Sequence, residues 1–83
     1  RQEISVKDQM RSVVKILKSS GGRVMFTQLF EADDKPMLVL TFLTLLELMK
    51  RQIVIVEQQN NFDDLSVLLQ KEDIDDEFEQ IIE

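Results

Sequence analysis

Apolar residues recur at helical spacing through Val6, Met10, Val13, Val14 and Leu17, and the pattern starts just after Ser5, a helix-capping residue with Asp8 three positions on. The spacing predicts a first helix over about Val6–Lys18, ended by the pair Gly21-Gly22. Arg23 to Phe26 then reads as a short strand, with Thr27 as the N-cap of a one-turn helix over Gln28–Glu31. A polar stretch from Ala32 to Lys35 leads to Pro36, which suits a first helical turn because its missing N–H has no partner there anyway. A third helix is expected over Met37–Arg51. Ile53 to Glu57 is β-branched through Val56, Gln58 to Asn61 supplies turn residues, and Leu65 to Leu69 is β-prone again, so this part reads as a hairpin with a polar tip.

Helix, short strand, short helix, long helix, hairpin is the order of a winged-helix domain. The expected fold class is therefore α+β: three helices around a small antiparallel sheet, in which the first strand joins the edge of the hairpin and the hairpin forms the wing. The domain is expected to occupy residues 1–70. Residues 71–83 read as an acidic C-terminal tail, solvated and partly disordered or folded as a short helix, since Ile74, Phe78, Ile81 and Ile82 stand at near-helical spacing.

The third helix carries the most information about partners. Advancing 100° per residue puts Leu38, Val39, Phe42, Leu45, Leu46 and Met49 on one face, the expected core contact. Leu40, Leu43, Thr44 and Glu47 lie opposite, with Leu48 towards the edge. A winged helix that reads DNA places this helix in the major groove, where it needs Arg, Lys, Asn or Gln, and here only Lys50 and Arg51 stand at its end. Two leucines on the outer side have two readings: the wing or the tail covers them, or they form the centre of a protein-docking face. On the docking reading Leu40 and Leu43 are anchors, Thr44 and Glu47 are polar partners, and the strand Leu65–Leu69, with Leu65 and Val67, extends a sheet of the partner.

Charge sharpens this picture. The 83 residues carry a net charge of −6, yet residues 1–70 balance nine Lys or Arg against nine Asp or Glu, so the whole excess belongs to residues 71–83. A neutral body and an acidic tail suit nucleic acid poorly. Lys7, Arg11, Lys15 and Lys18 do form a basic stripe along the first helix, which reads either as a solvated face or as a weak phosphate contact without sequence readout.

Composition removes most chemistry. There is no Cys and no His, so a thiol nucleophile, a thiolate metal site and the usual neutral-pH general base are all missing. Gly21-Gly22 is followed by Arg23 and makes no phosphate loop. The pairs Asp33-Asp34, Asp63-Asp64 and Asp75-Asp76 lie in expected turns or the tail, where solvent competes for any metal, and Asp73, Asp75 and Glu77 lack the Gly and Glu of a calcium loop. The expectation is a non-enzymatic domain with no cofactor and no metal. The longest apolar run, Met37 to Met49, is interrupted and too short for a bilayer, so no membrane partner is expected. Opening on Arg1, the chain is expected to be a fragment of a longer protein.

Phe26, Leu29-Phe30, the stretch VLTFLTLLEL from Val39 to Leu48, then Val54, Glu57-Gln58, Phe62 and Asp64-Leu65 together resemble the C-terminal domain of the bacterial kleisin family, segregation and condensation protein A. The likeness covers about Val6 to Leu69. It departs at Thr44, where the family usually has Ala, at Gln52, where Gly often ends the third helix, and at Asp63, where Gly is common. The resemblance implies a non-catalytic subunit of a chromosome-condensing complex whose winged helix docks on the ATPase head of the structural-maintenance-of-chromosomes protein. It further implies closure of a ring around DNA, binding of segregation and condensation protein B through a middle region absent here, only indirect contact with DNA, and a cytoplasmic, nucleoid-associated location. The rival from the residues themselves is a DNA-binding winged-helix regulator using the first helix. A self-associating module is a further alternative.

Overall fold

The computed structural model describes residues 4–58 and 65–70. Within them the order is α1 (Val6–Ser19), β1 (Arg23–Met25), a 3-10 turn (Phe26–Leu29), α2 (Lys35–Lys50), β2 (Val54–Gln58) and β3 (Leu65–Leu69). The expected hairpin tip, with Phe62 and Asp63-Asp64, and the tail at 71–83 lie outside the described residues.

Each helix begins where a side chain can satisfy its orphan N–H groups. The Ser5 hydroxyl accepts from the Asp8 N–H at 3.1 Å. At α2 the Asp34 carboxylate accepts from the Met37 N–H at 3.1 Å, and Pro36 sits in the first turn. Asp34 is thus a cap, in keeping with the turn role expected of the Asp33-Asp34 pair. α1 stops at two glycines in the left-handed region, with φ of 73° at Gly21 and 88° at Gly22. The Gly22 N–H closes on the Leu17 carbonyl at 2.7 Å, while the Gly22 carbonyl accepts from the Leu69 N–H at 2.8 Å and fastens the end of α1 to β3.

The second expected helix is the 3-10 turn, and it starts earlier than the sequence pattern suggests. Phe26 belongs to it rather than to β1, and Thr27 lies inside it instead of capping it. The reason is local: the Gln28 side-chain carbonyl accepts from the Met25 N–H at 2.8 Å, closing the turn one step ahead of Thr27. Phe26 and Phe30 then stack edge to face with ring centroids 4.9 Å apart.

The sheet order is β1-β3-β2, antiparallel throughout. β3 is the central strand, with Val67 opposite both Val24 and Val56. Met10, Val13, Val14 and Leu17 of α1, Phe26 and Leu29 of the turn, Leu45 and Leu48 of α2, and Ile53, Val54 and Val67 make up the core with Val24. The two helices are also joined by a buried hydrogen bond, in which the Gln9 side-chain amide donates to the Thr41 hydroxyl at 3.1 Å.

Just past the end of α2 stands Gln52, a non-glycine residue with φ of 61°. Its N–H donates to the Met49 carbonyl at 2.9 Å, and Ile53 donates to the Leu48 carbonyl at 2.9 Å, so the left-handed residue turns the chain straight into β2. Because Gln52 is exposed, Gln52→Gly removes backbone strain without removing a packed side chain. After the larger unfolded-state entropy of Gly is subtracted, a gain of about 1 kcal/mol is expected, seen as a rise of roughly 4–8 °C in the melting temperature. A fall on thermal unfolding would contradict this account of the helix end.

Candidate functional site: the outer face of α2

α2 is apolar almost all the way round, and the structure uses its two sides differently. Thr41, Thr44, Leu45 and Leu48 point into the domain and are buried. Leu38, Val39, Phe42, Leu43, Leu46 and Met49 point outward, with Val39 55%, Leu43 48% and Phe42 45% exposed. These six residues form a strip about 16 Å long at 1.5 Å per residue. Lys35 and Lys50, both exposed, stand at its two ends. Outside α2, only Ile4 and Ile55 are comparably exposed large apolar residues among the described residues. A helix apolar on both sides is built to be covered on both sides, and a contiguous apolar strip on so small a body marks an interaction surface.

This corrects the expected orientation of the helix. Leu38, Val39, Phe42, Leu46 and Met49 are exposed rather than in the core, and only Leu45 of that set is buried. Two threonines face inward because their short branched side chains let α2 approach α1 and the sheet closely, and because their hydroxyls are satisfied there. Thr41 accepts from Gln9, and the Thr44 hydroxyl donates to the Leu40 carbonyl oxygen one turn back at 2.7 Å. Hydropathy alone assigns Thr to water; hydrogen-bond accounting allows it inside.

The six sequence-predicted contact residues are therefore dispersed. Leu43 lies in the apolar strip. Leu40 and Glu47 flank it and are half-buried, with the Glu47 carboxylate held by the Arg51 guanidinium through Nε and Nη2, both at 2.8 Å. Thr44 is fully buried and offers no group to a partner. Leu65 is half-buried against the core and Val67 is fully buried, since both lie on the inner face of β3. β3 pairs on both edges and has no free edge with which to extend another sheet; β2 pairs only with β3 among the described residues. Sequence reasoning missed Phe42, Leu46 and Val39 as surface residues. The absence of any charged residue between Lys35 and Glu47 was the signal that could have found them.

The basic residues of α1 occupy its outer side, where Lys7, Lys15 and Lys18 are exposed and Arg11 makes a 3.7 Å contact with Asp8. An exposed pair at that distance contributes little to stability. Among the described residues no helix is long and apolar enough to cross a membrane.

Two helices packed on a three-stranded antiparallel sheet, with the last two strands adjacent and the long helix laid beside them, define a winged-helix domain. The family model for segregation and condensation protein ScpA matches residues 1–78, and the chain belongs to that family. It is 51% identical over 67 residues to segregation and condensation protein A of Bacillus velezensis and 48% identical to that of Bacillus licheniformis, in each case over 81% of this chain. The chain spans about a quarter of the length of these curated relatives, the matched part being 27% of each. A chain in the crystal structure of the SmcHead bound to the C-winged helix domain of ScpA matches with a TM-score of 0.62 and 26% identity, over 77% of this chain and 91% of that one.

Proposed function

We propose that this domain docks, through the outer face of α2, on the ATPase head of a structural-maintenance-of-chromosomes protein. The observation that carries the reading is the uncovered strip of Leu38, Val39, Phe42, Leu43, Leu46 and Met49. The relative of known structure, an ScpA winged helix bound to an Smc head, supports the choice of partner. The relatives are named for segregation and condensation rather than for a reaction, and a chain without Cys or His fits a non-catalytic subunit. In the whole protein this domain would close one side of a ring that encircles DNA in chromosome condensation and segregation. Segregation and condensation protein B would bind elsewhere in that protein, DNA would be held indirectly, and the assembly would lie in the cytoplasm with the nucleoid.

The test is a titration of the 83-residue chain against an isolated ATPase head, beside duplex DNA at two salt concentrations. Saturable head binding with little salt dependence is expected, because an apolar strip bound by two lysines releases few ions. Tight DNA binding that falls steeply with salt, with an inert head, would instead favour the regulator reading through α1.

A further inference from the structure

The apolar strip of α2 ends in charges of opposite sign. Around Lys35 the N-terminal end carries Glu31, Asp33 and Asp34, three carboxylates against one ammonium. Glu31 and Asp34 also line a groove of about 390 Å³ whose other walls include Ile4, Phe30 and Met37. An apolar floor with an acidic rim suits a lysine side chain, whose stem packs while its ammonium meets the carboxylates. At the C-terminal end Glu47 is paired with Arg51, so the exposed Lys50 sets the sign of the charge there.

We infer that the free domain pairs with a second copy of itself through this face, the two α2 helices running antiparallel about a two-fold axis. With the axis at the middle of the strip, Phe42 of each copy meets Leu46 of the other and Val39 meets Met49, so the contact is apolar along its length. Lys50 then falls opposite Leu38, one residue from Met37, within reach of the acidic groove of the other copy. A parallel pair would set Lys50 against Lys50 and the acidic end against itself, so the end charges select the antiparallel arrangement. Area sets the strength. Six side chains that are 37–55% exposed amount to roughly 500 Å² per copy, so a pair buries about 1,000 Å² against about 1,600 Å² for a stable complex. The pairing is therefore weak and reversible, and it yields to a larger interface. Since one face serves both contacts, self-pairing competes with the head. That competition rests on the docking proposed above; the pairing itself does not.

Sedimentation equilibrium of the 83-residue chain from about 10 μM to about 2 mM should show a monomer–dimer equilibrium, as a contact of this size implies. Phe42→Arg and Leu46→Arg should each weaken it about tenfold or more, and Lys50→Glu about threefold. The chain has no cysteine, so Val39→Cys and Met49→Cys, mixed and oxidised, should form the bridge between positions 39 and 49 in preference to either symmetric bridge. A chain that stays monomeric throughout overturns the pairing, as does a dimer unaffected by Phe42→Arg and Leu46→Arg. Preference for the two symmetric bridges overturns the antiparallel arrangement. Adding the isolated head should dissolve the dimer in proportion to the head bound. A dimer of the expected geometry that the head does not dissolve leaves the pairing standing and refutes docking through this face.

Discussion

Leu48→Ala is expected to destabilise the domain by about 2–5 kcal/mol, whereas Phe42→Ala, removing a larger side chain from the same helix, is expected to cost less than about 1 kcal/mol. Leu48 is fully buried, and its carbonyl accepts from Ile53, so its side chain sits where α2 turns into the sheet. Truncation leaves a cavity among neighbours on α1, α2 and the sheet that cannot all collapse inward. A domain of this length has a total stability of only roughly 4–12 kcal/mol. The Leu48 variant should therefore melt at least about 8 °C lower, at roughly 4–8 °C per kcal/mol. Phe42 is 45% exposed and supports none of this. Its loss leaves the core packed. Thermal and urea unfolding followed by circular dichroism checks both variants. Equal destabilisation by the two would mean that α2 is rotated towards the face that hydropathy alone suggests.

That rotation is where the sequence was least legible. The number and order of elements could be read because most boundaries carry their own chemistry: Ser5 as a cap, Gly21 and Gly22 at positive φ, Pro36 in a first turn, a β-branched run in β2. α1 was readable down to its buried apolar residues, Met10, Val13, Val14 and Leu17, because polar and apolar positions separate around it, and only the buried Gln9 escaped. α2 offers no such contrast. When a helix is apolar all round, the few polar side chains dominate any wheel, and they mislead if they are small and can bond to the backbone or to a neighbouring helix. Thr44 does the first and Thr41 the second. The strand order held a similar trap. Leu65 and Val67 were expected to extend a partner's sheet, but β1, expected at the edge of the hairpin, pairs with β3 rather than β2, so both edges of β3 are taken and Val67 is buried. At Gln52 a resemblance noted a missing glycine, and the backbone shows what that glycine would do. Thus local signals located the elements, while the choice of face depended on long-range packing that no single segment contains.

Phe42→Arg and Leu46→Arg are each expected to weaken head binding at least thirtyfold, equivalent to about 2 kcal/mol or more, with no comparable loss of thermal stability. Both residues lie midway along the strip, one turn apart, where a docked partner would exclude water most completely. An arginine there brings a charge that must be desolvated without a counter-ion, a cost that exceeds the loss of the apolar contact itself. Leu43→Arg, at the edge of the strip, should weaken binding less, because its guanidinium can extend to solvent. Leu40→Arg makes the necessary contrast. Leu40 is half-buried and its carbonyl holds the Thr44 hydroxyl, so any loss of binding there should come with a lower melting temperature. Reversing the end charges with Lys35→Glu or Lys50→Glu should act mainly on association rate and salt dependence. A graded series, strongest at Phe42 and Leu46 and uncoupled from stability, is what docking through this face requires. If Phe42→Arg and Leu46→Arg bind the head as the parent chain does, the interface lies elsewhere, and the edge of β2 away from β3 becomes the surface to test next.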